Sequence, residues 1–272
     1  MKCISPLIFK LFKALSWTKT SYFLFSGFLA IVILIIVVWW PLAEDYLASY
    51  DPSYPFWLQF DWLLLGIFLY MSLMIMAKAD IRRDWLTLMI GLVGGLVIEA
   101  WGTQTSLWTY YTNERPPLWI LPAWPIATLT IDRMVLLLSG ISSRLHSSVY
   151  SVLYWIAMIG FFGIMFVYTL PTLEKPFTII ALIICATLIL SIREKKIPVI
   201  TFLAGSSLGY FLELWGTTRE CWTYYSRETP PMFAVFAHGL AATAFWWTRL
   251  IVSTMWTKII PYFEQLREEL QI

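Results

Sequence analysis

The chain has 272 residues, of which 59% are hydrophobic and only 13% charged, and its net charge is +2. That composition excludes an ordinary water-soluble globular domain, and so small a net charge argues against a nucleic-acid partner. Three cysteines (Cys3, Cys185, Cys221) and two histidines (His146, His238) without ligand-type spacing point to no disulfide framework, metal site or haem, and no cofactor is expected.

Residues 1–21 form a basic N-terminal segment carrying Lys2, Lys10, Lys13 and Lys19. Within it, 3–15 fit either a short amphipathic helix on the membrane surface or a frayed basic tail. The apolar run Tyr22–Trp40 is too long for the core of a signal peptide and lacks a small-residue cleavage site, so it reads as a retained anchor. A helix needs about 20 apolar residues to cross the hydrocarbon core. That rule predicts spans over 22–41, 57–77, 85–102, 118–139, 148–169, 176–192, 198–216 and 231–254. The expected fold is an all-α polytopic membrane bundle of eight spans. It is divided into two parallel four-span repeats, 22–140 and 141–257, and followed by a tail over 258–272. Loop charge supports this count. Lys78, Arg82, Arg83, Arg144, Arg193, Lys195, Lys196, Lys258 and Arg267 fall on the side of the basic N-terminus, while Glu44, Asp45, Asp51, Glu114, Glu174, Glu220 and Glu228 fall on the other. Both termini are therefore expected in the cytoplasm, with the chain in a bacterial inner membrane.

The division into repeats rests on a phrase written twice. Residues 99–117 read EAWGTQTSLWTYYTNERPP and residues 213–231 read ELWGTTRECWTYYSRETPP, offset by a constant 114 residues with 11 of 19 positions identical. Each copy places a glutamate, Glu99 or Glu213, near the end of an apolar helix, where a charge is costly and by default functional. Three residues later comes Gly102 or Gly216, where the chain is expected to leave the helix or to approach a ligand closely. An aromatic tract follows and is expected to fold back over the end of the bundle as a lid.

A carboxyl group among aromatic rings suits general-acid chemistry, and the faces of Trp and Tyr stabilise a cation without offering a nucleophile. Glu99 and Glu213 are thus the candidate proton donors. Trp101, Trp108, Tyr110, Tyr111, Trp215, Trp222, Tyr224, Tyr225 and Arg219 are the candidate substrate-binding residues. His238, at the position equivalent to Trp124, lies level with Glu213 and could share a proton with it. The bland alternative is that each glutamate only hydrogen-bonds the Trp, Thr or Tyr of its own motif and locks the loop. Asp132-Arg133 and Arg249 read as an ion pair and snorkelling arginines, and Asp61 is expected to border the cavity at the acidic end.

The first copy resembles the motif Glu-x-x-Gly-x-x-Thr-Gly of bacterial carotenoid 1,2-hydratases of the bisanhydrobacterioruberin hydratase type. Glu99, Gly102 and Thr105 match, with Ser106 in place of the second glycine; Tyr110, Tyr111 and the segment LWILPAWPIA (118–127) follow as in that family. In the second copy Glu213 and Gly216 match, while Arg219 and Glu220 depart from the pattern. The resemblance covers about 40 residues per half. It implies acid-catalysed addition of water to an isoprenoid double bond without a redox cofactor. Two other readings stay open: a proton-coupled carrier or flippase for a lipid or small amphiphile, and a structural subunit of a membrane complex. A homo-oligomer fits any of the three.

Overall fold

The computed structural model describes residues 16–141 and 146–269, with side chains described as far as Lys258. The expected surface helix over 3–15, loop residue Arg144 and the side chains of the tail lie outside them. The described residues form nine α-helices and one two-stranded ribbon. In order these are α1 (Lys19–Val38), α2 (Trp40–Ala48), α3 (Trp62–Met76), α4 (Ile81–Thr105), β1 (Trp108–Tyr110), α5 (Ala123–Ile141), α6 (Ser147–Thr169), α7 (Pro176–Ser191), α8 (Lys196–Thr218), β2 (Trp222–Tyr224) and α9 (Met232–Glu269).

Local chemistry sets the boundaries. Thr18 and Ser21 form a reciprocal capping box that opens α1, and Asp61 and Asp80 cap α3 and α4 by accepting from Leu64 N and Arg82 N. Pro41 in its first turn starts α2 afresh after α1. Helix α5 begins at Ala123 rather than at the expected 118. Pro122 and Pro125 lack N–H groups, and only the first turn of a helix tolerates that loss. Helix α9 continues to Glu269, so the expected tail prolongs the last helix.

Among the described residues, five helices are long and apolar enough to cross a membrane: α1, α4, α6, α8 and α9. Helices α3 and α7 are apolar but have only 15 and 16 residues, and α5 carries Asp132 and Arg133 in its middle.

The centre is a bundle of α4, α5, α8 and α9, in which α4 packs on α5 and α9, and α8 packs on α5 and α9. Small residues bring these axes close. A Cβ on Gly95 would lie 2.3 Å from the Trp124 ring, and one on Gly209 would lie 2.5 Å from His238. Helix α3 covers α5 and α8, while α7 covers α4. Of the remaining three helices, the two long ones differ sharply. Helix α6 is seated against α8 and α9, burying Tyr154, Met158, Phe161 and Met165. Helix α1 packs on α3 and buries only Ser21, Leu24 and Phe28, all in its first half.

The two ends of the bundle are chemically distinct. At one end sits the ribbon, antiparallel with Trp108 opposite Tyr224, Thr109 opposite Thr223 and Tyr110 opposite Trp222. At the other end, α4, α5 and α9 are joined by charge. Arg133 donates from Nε to the Ala77 carbonyl (2.7 Å) and from the other guanidinium nitrogens to Asp84 and Asp132. Arg249 donates to Asp132 (2.7 Å) and Thr87 (3.0 Å). Arg133 and Asp84 have side chains only 2% and 1% exposed. The snorkelling expected of Arg133 therefore does not occur: its partner Asp84, 49 residues away, holds the guanidinium inside.

Candidate functional site

Glu99 and Glu213 occupy the inner face of α4 and α8 and are almost completely buried, at 3% and 4%. Each helix then runs on past its glycine instead of ending there. Ser106 (φ 62°) and Glu220 (φ 54°) take the left-handed conformation. The N–H groups of Leu107 and Cys221 bond back to the carbonyls of Gly102 and Gly216, both at 2.9 Å. These are the bonds of a Schellman stop, and they turn the chain back toward the helix it has just left.

The returning strand needs the glycine. A Cβ on Gly102 would sit 1.8 Å from Cη2 of Trp108, and one on Gly216 would sit 2.0 Å from Cη2 of Trp222. The close approach expected at these glycines is thus made by the chain's own tryptophan. With the ring lying across the helix, Trp108 Nε1 donates to Glu99 Oε2 (3.1 Å) and the Tyr110 hydroxyl donates to Oε1 (2.9 Å). In the second copy Trp222 Nε1 donates to Glu213 Oε2 (2.8 Å) and the Tyr224 hydroxyl to Oε1 (3.0 Å). The aromatic tract expected as a lid is therefore a ribbon plugged into the bundle.

The third partner differs. Trp124 Nε1 donates to Glu99 Oε1 at 3.1 Å, whereas His238 Nε2 stands 2.9 Å from Glu213 Oε1. An indole only donates, while an imidazole nitrogen donates or accepts according to its tautomer and charge. Glu99 is thus ringed by three donors. At Glu213 the third partner can donate or accept. The two sites touch, since the rings of Trp124 and His238 stack at 5.7 Å with an interplanar angle of 18°.

Tyr110 and Tyr224 lie in the ribbon, beyond the ends of the long apolar helices. Burial, reinforced by the adjacent carboxylates, pushes both phenols well above their ordinary range. They stay protonated and keep donating. Burial also pushes the Cys221 thiol up to about 12, so it is no ready nucleophile.

Glu99, Glu213 and His238 border one large cavity of about 1320 Å³ that is not sealed. Its volume exceeds the roughly 300–1,000 Å³ usual for small-ligand pockets, and its walls are almost entirely apolar side chains drawn from all nine helices. Trp101, Trp108, Tyr110, Trp215, Trp222, Tyr224 and Arg219 all reach it. Tyr111 and Tyr225 are placed elsewhere. Their hydroxyls donate to the carbonyls of Val38 and Tyr168, bracing the ends of α1 and α6.

Asp61 borders the cavity at the ribbon end, accepting from Trp215 Nε1 (2.8 Å) and Arg219 Nε (3.2 Å). A parallel contact joins Trp101 Nε1 to Thr178 at 3.4 Å. Sequence reasoning did not assign a site role to Trp124, although its alignment with His238 was the available signal. Trp39, which stacks on Trp215 at 5.2 Å, carried no signal beyond the aromatic composition. Among the described residues no three His, Cys, Asp or Glu side chains gather as a metal site would require. No protein-family model matches the chain, and neither a curated protein nor a solved structure matches it.

Proposed function

We propose that this is an integral membrane enzyme of the lyase type. It acts on an isoprenoid, carotenoid or related lipid by adding a proton to a double bond. The observation that carries this reading is the Glu213–His238 contact at 2.9 Å on the wall of a large apolar cavity. The proton held by that pair passes to an alkene carbon, leaving a carbocation on its neighbour. Aromatic faces of Trp and Tyr stabilise the cation. Water then adds and returns a proton to the pair, completing a hydration; loss of a proton from an adjacent carbon instead completes an isomerisation. Glu213 is the proton donor and His238 its relay, while Glu99, ringed by donors, is the weaker candidate. The resemblance of the first copy to carotenoid 1,2-hydratases supports the same chemistry.

The architecture proposed with it has all eight apolar helices (α1 and α3–α9) crossing a bacterial inner membrane as two duplicated four-span halves, with both termini cytoplasmic. Supporting this are the matched bonds around Glu99 and Glu213. The clustering of Arg82, Arg83, Arg193, Lys195 and Lys196 at the end opposite the ribbon adds to it.

Mass spectrometry of lipid and pigment extracts tests the activity. Cells carrying the wild type, Glu213→Gln, Glu99→Gln, the double variant or no protein are compared. The expected result is a wild-type species one water heavier than its precursor, or an isomer of it, that Glu213→Gln abolishes at least about 100-fold. Product retained in both single variants and in their double sinks the proposal. A second reading, a proton-coupled carrier of an amphiphile, is favoured by the fact that both carboxylates border one cavity. Its mark is a substrate that moves with protons and emerges chemically unchanged.

A further inference from the structure

The chain between α1 and α3 is ordered but has almost nothing to pack on. Helix α2 buries no residue. Trp40, Leu47, Tyr50, Tyr54, Trp57 and Leu58 are all exposed. The segment is nonetheless built. The Gln59 side chain accepts from Asp51 N (2.8 Å) and donates to the Asp51 and Tyr54 carbonyls, and the Tyr46 hydroxyl donates to the Gln59 carbonyl.

Two apolar helices hold the segment at the end of the bundle, so its surroundings are limited. Water penalises so many exposed large side chains. The hydrocarbon core penalises Glu44, Asp45 and Asp51 and a loop backbone without a regular ladder. The layer between them, where headgroups meet acyl chains, suits side chains that are apolar with a polar edge.

The underside of the same segment faces the cavity. Leu42, Ala43, Asp45 and Tyr46 of α2, then Phe60, line it at that end. Below them Ile31, Val32 and Ile35 of α1 line the wall, in the half of α1 that buries nothing. This half packs only partly on the core, through Ile31, Val32 and Ile35, and its end is tied by the bond from Tyr111 to the Val38 carbonyl and by the Trp39 ring against Trp215, Trp119 and Trp222. The equivalent space beside α8 and α9 is filled by α6.

We propose that residues 40–62 are a lip seated in the interfacial layer of the lipid bilayer. Together with the second half of α1, this lip forms a side door through which a long apolar chain passes between membrane and cavity. Only the nature of the passing molecule rests on the function proposed above.

The test uses the full chain with Cys3→Ser, Cys185→Ser and Cys221→Ser, reconstituted into phosphatidylcholine vesicles, with one nitroxide at Leu47, Tyr54 or Leu58. Collision with lipid-soluble oxygen against a water-soluble nickel chelate reads depth. Oxygen-favoured collision at all three positions, unchanged on tenfold dilution of the protein in lipid, is the expected result. Chelate-favoured collision places the lip in water and overturns the proposal. Shielding from both reagents places protein on that face and also overturns it. In the same vesicles, phosphatidylcholine with a mid-chain diazirine is photolysed. Labelled peptides containing Trp124 or Ala237, which border the cavity, are expected. Labelling confined to outward-facing positions removes the door. Neither readout depends on turnover, so failure here and failure of the enzymatic reading are distinguishable.

Discussion

One side chain separates the two carboxylate sites: Trp124 at Glu99 and His238 at Glu213, with every other partner matched. Exchanging them therefore tests where the chemistry resides. His238→Trp is expected to lower product formation at least about 100-fold, the usual contribution of a positioned acid–base group. Adding Trp124→His should restore it to within about tenfold, because Glu99 then gains an imidazole in the same stacked place. A double variant as inactive as His238→Trp would assign the activity to features of the second site alone, such as Arg219 and Asp61. The glycines carry a separate prediction. Gly102→Ala and Gly216→Ala each set a methyl within 2.0 Å of an indole that cannot yield without dropping its bond to glutamate. Each should cost about 1–3 kcal/mol, seen as a lower thermal midpoint in detergent. A midpoint equal to that of the wild type would show the ring to be free to move. These pairs were legible in the sequence as glutamate, glycine and aromatics at fixed spacing within one repeated phrase. The part played by Trp124 was not, because an indole in an apolar helix reads as packing until its N–H is seen to meet a carboxylate.

Charge joins the helices at the end opposite the ribbon. Arg133 and Asp84 are fully enclosed and satisfied by one another, by Asp132 and by the Ala77 carbonyl. Removing one partner takes away the other's closest counter-charge but leaves Arg133 to Asp132 and the Ala77 carbonyl, or Asp84 to Arg83 and Asp80 N, so Asp84→Leu or Arg133→Leu alone should cost less than the roughly 3–5 kcal/mol of a stranded buried charge. The double variant should cost clearly less than their sum. A double-mutant cycle on unfolding in detergent measures the coupling, and strict additivity would mean the pair makes no joint contribution. Spacing along α5 could not reveal this bond. Which face Arg133 presents depends on how α5 rotates against α4, and hydropathy alone favours the nearest water. The standing of α1 was equally hidden. Its residues are apolar on every side, so the sequence marks it as a membrane helix without saying that only its first half is fully buried against the bundle. Helix positions, by contrast, were readable from length and hydropathy to within a few residues, except at the starts of α3 and α5, the latter delayed by Pro122 and Pro125, and at the far end of α9.

At the scale of the whole chain, the two proposed halves are bonded to each other as well as packed within themselves. The ribbon takes one strand from each. Asp61 in the first secures Trp215 and Arg219 in the second, and Thr178 in the second secures Trp101 in the first. Helices α5 and α8, one from each half, also pack together. A unit with so much of its polar bonding outside itself should not be stable alone, yet should find its complement without a covalent link. Breaking the chain between α5 and α6 and co-expressing the pieces is therefore expected to yield a complex that co-purifies in detergent and retains the wild-type product. Either piece alone should be degraded or aggregated. Asp61→Ala combined with Thr178→Val removes side-chain bonds between halves while leaving the ribbon's backbone ladder, so it should lower the yield of the split complex more than that of the intact chain. Mass action explains the difference, since joined halves meet at a high effective concentration and separate ones do not. If the pieces never associate, or if one piece is stable by itself, the division into two interlocked units is wrong. The matched glutamate sites would then be a local likeness within one indivisible bundle.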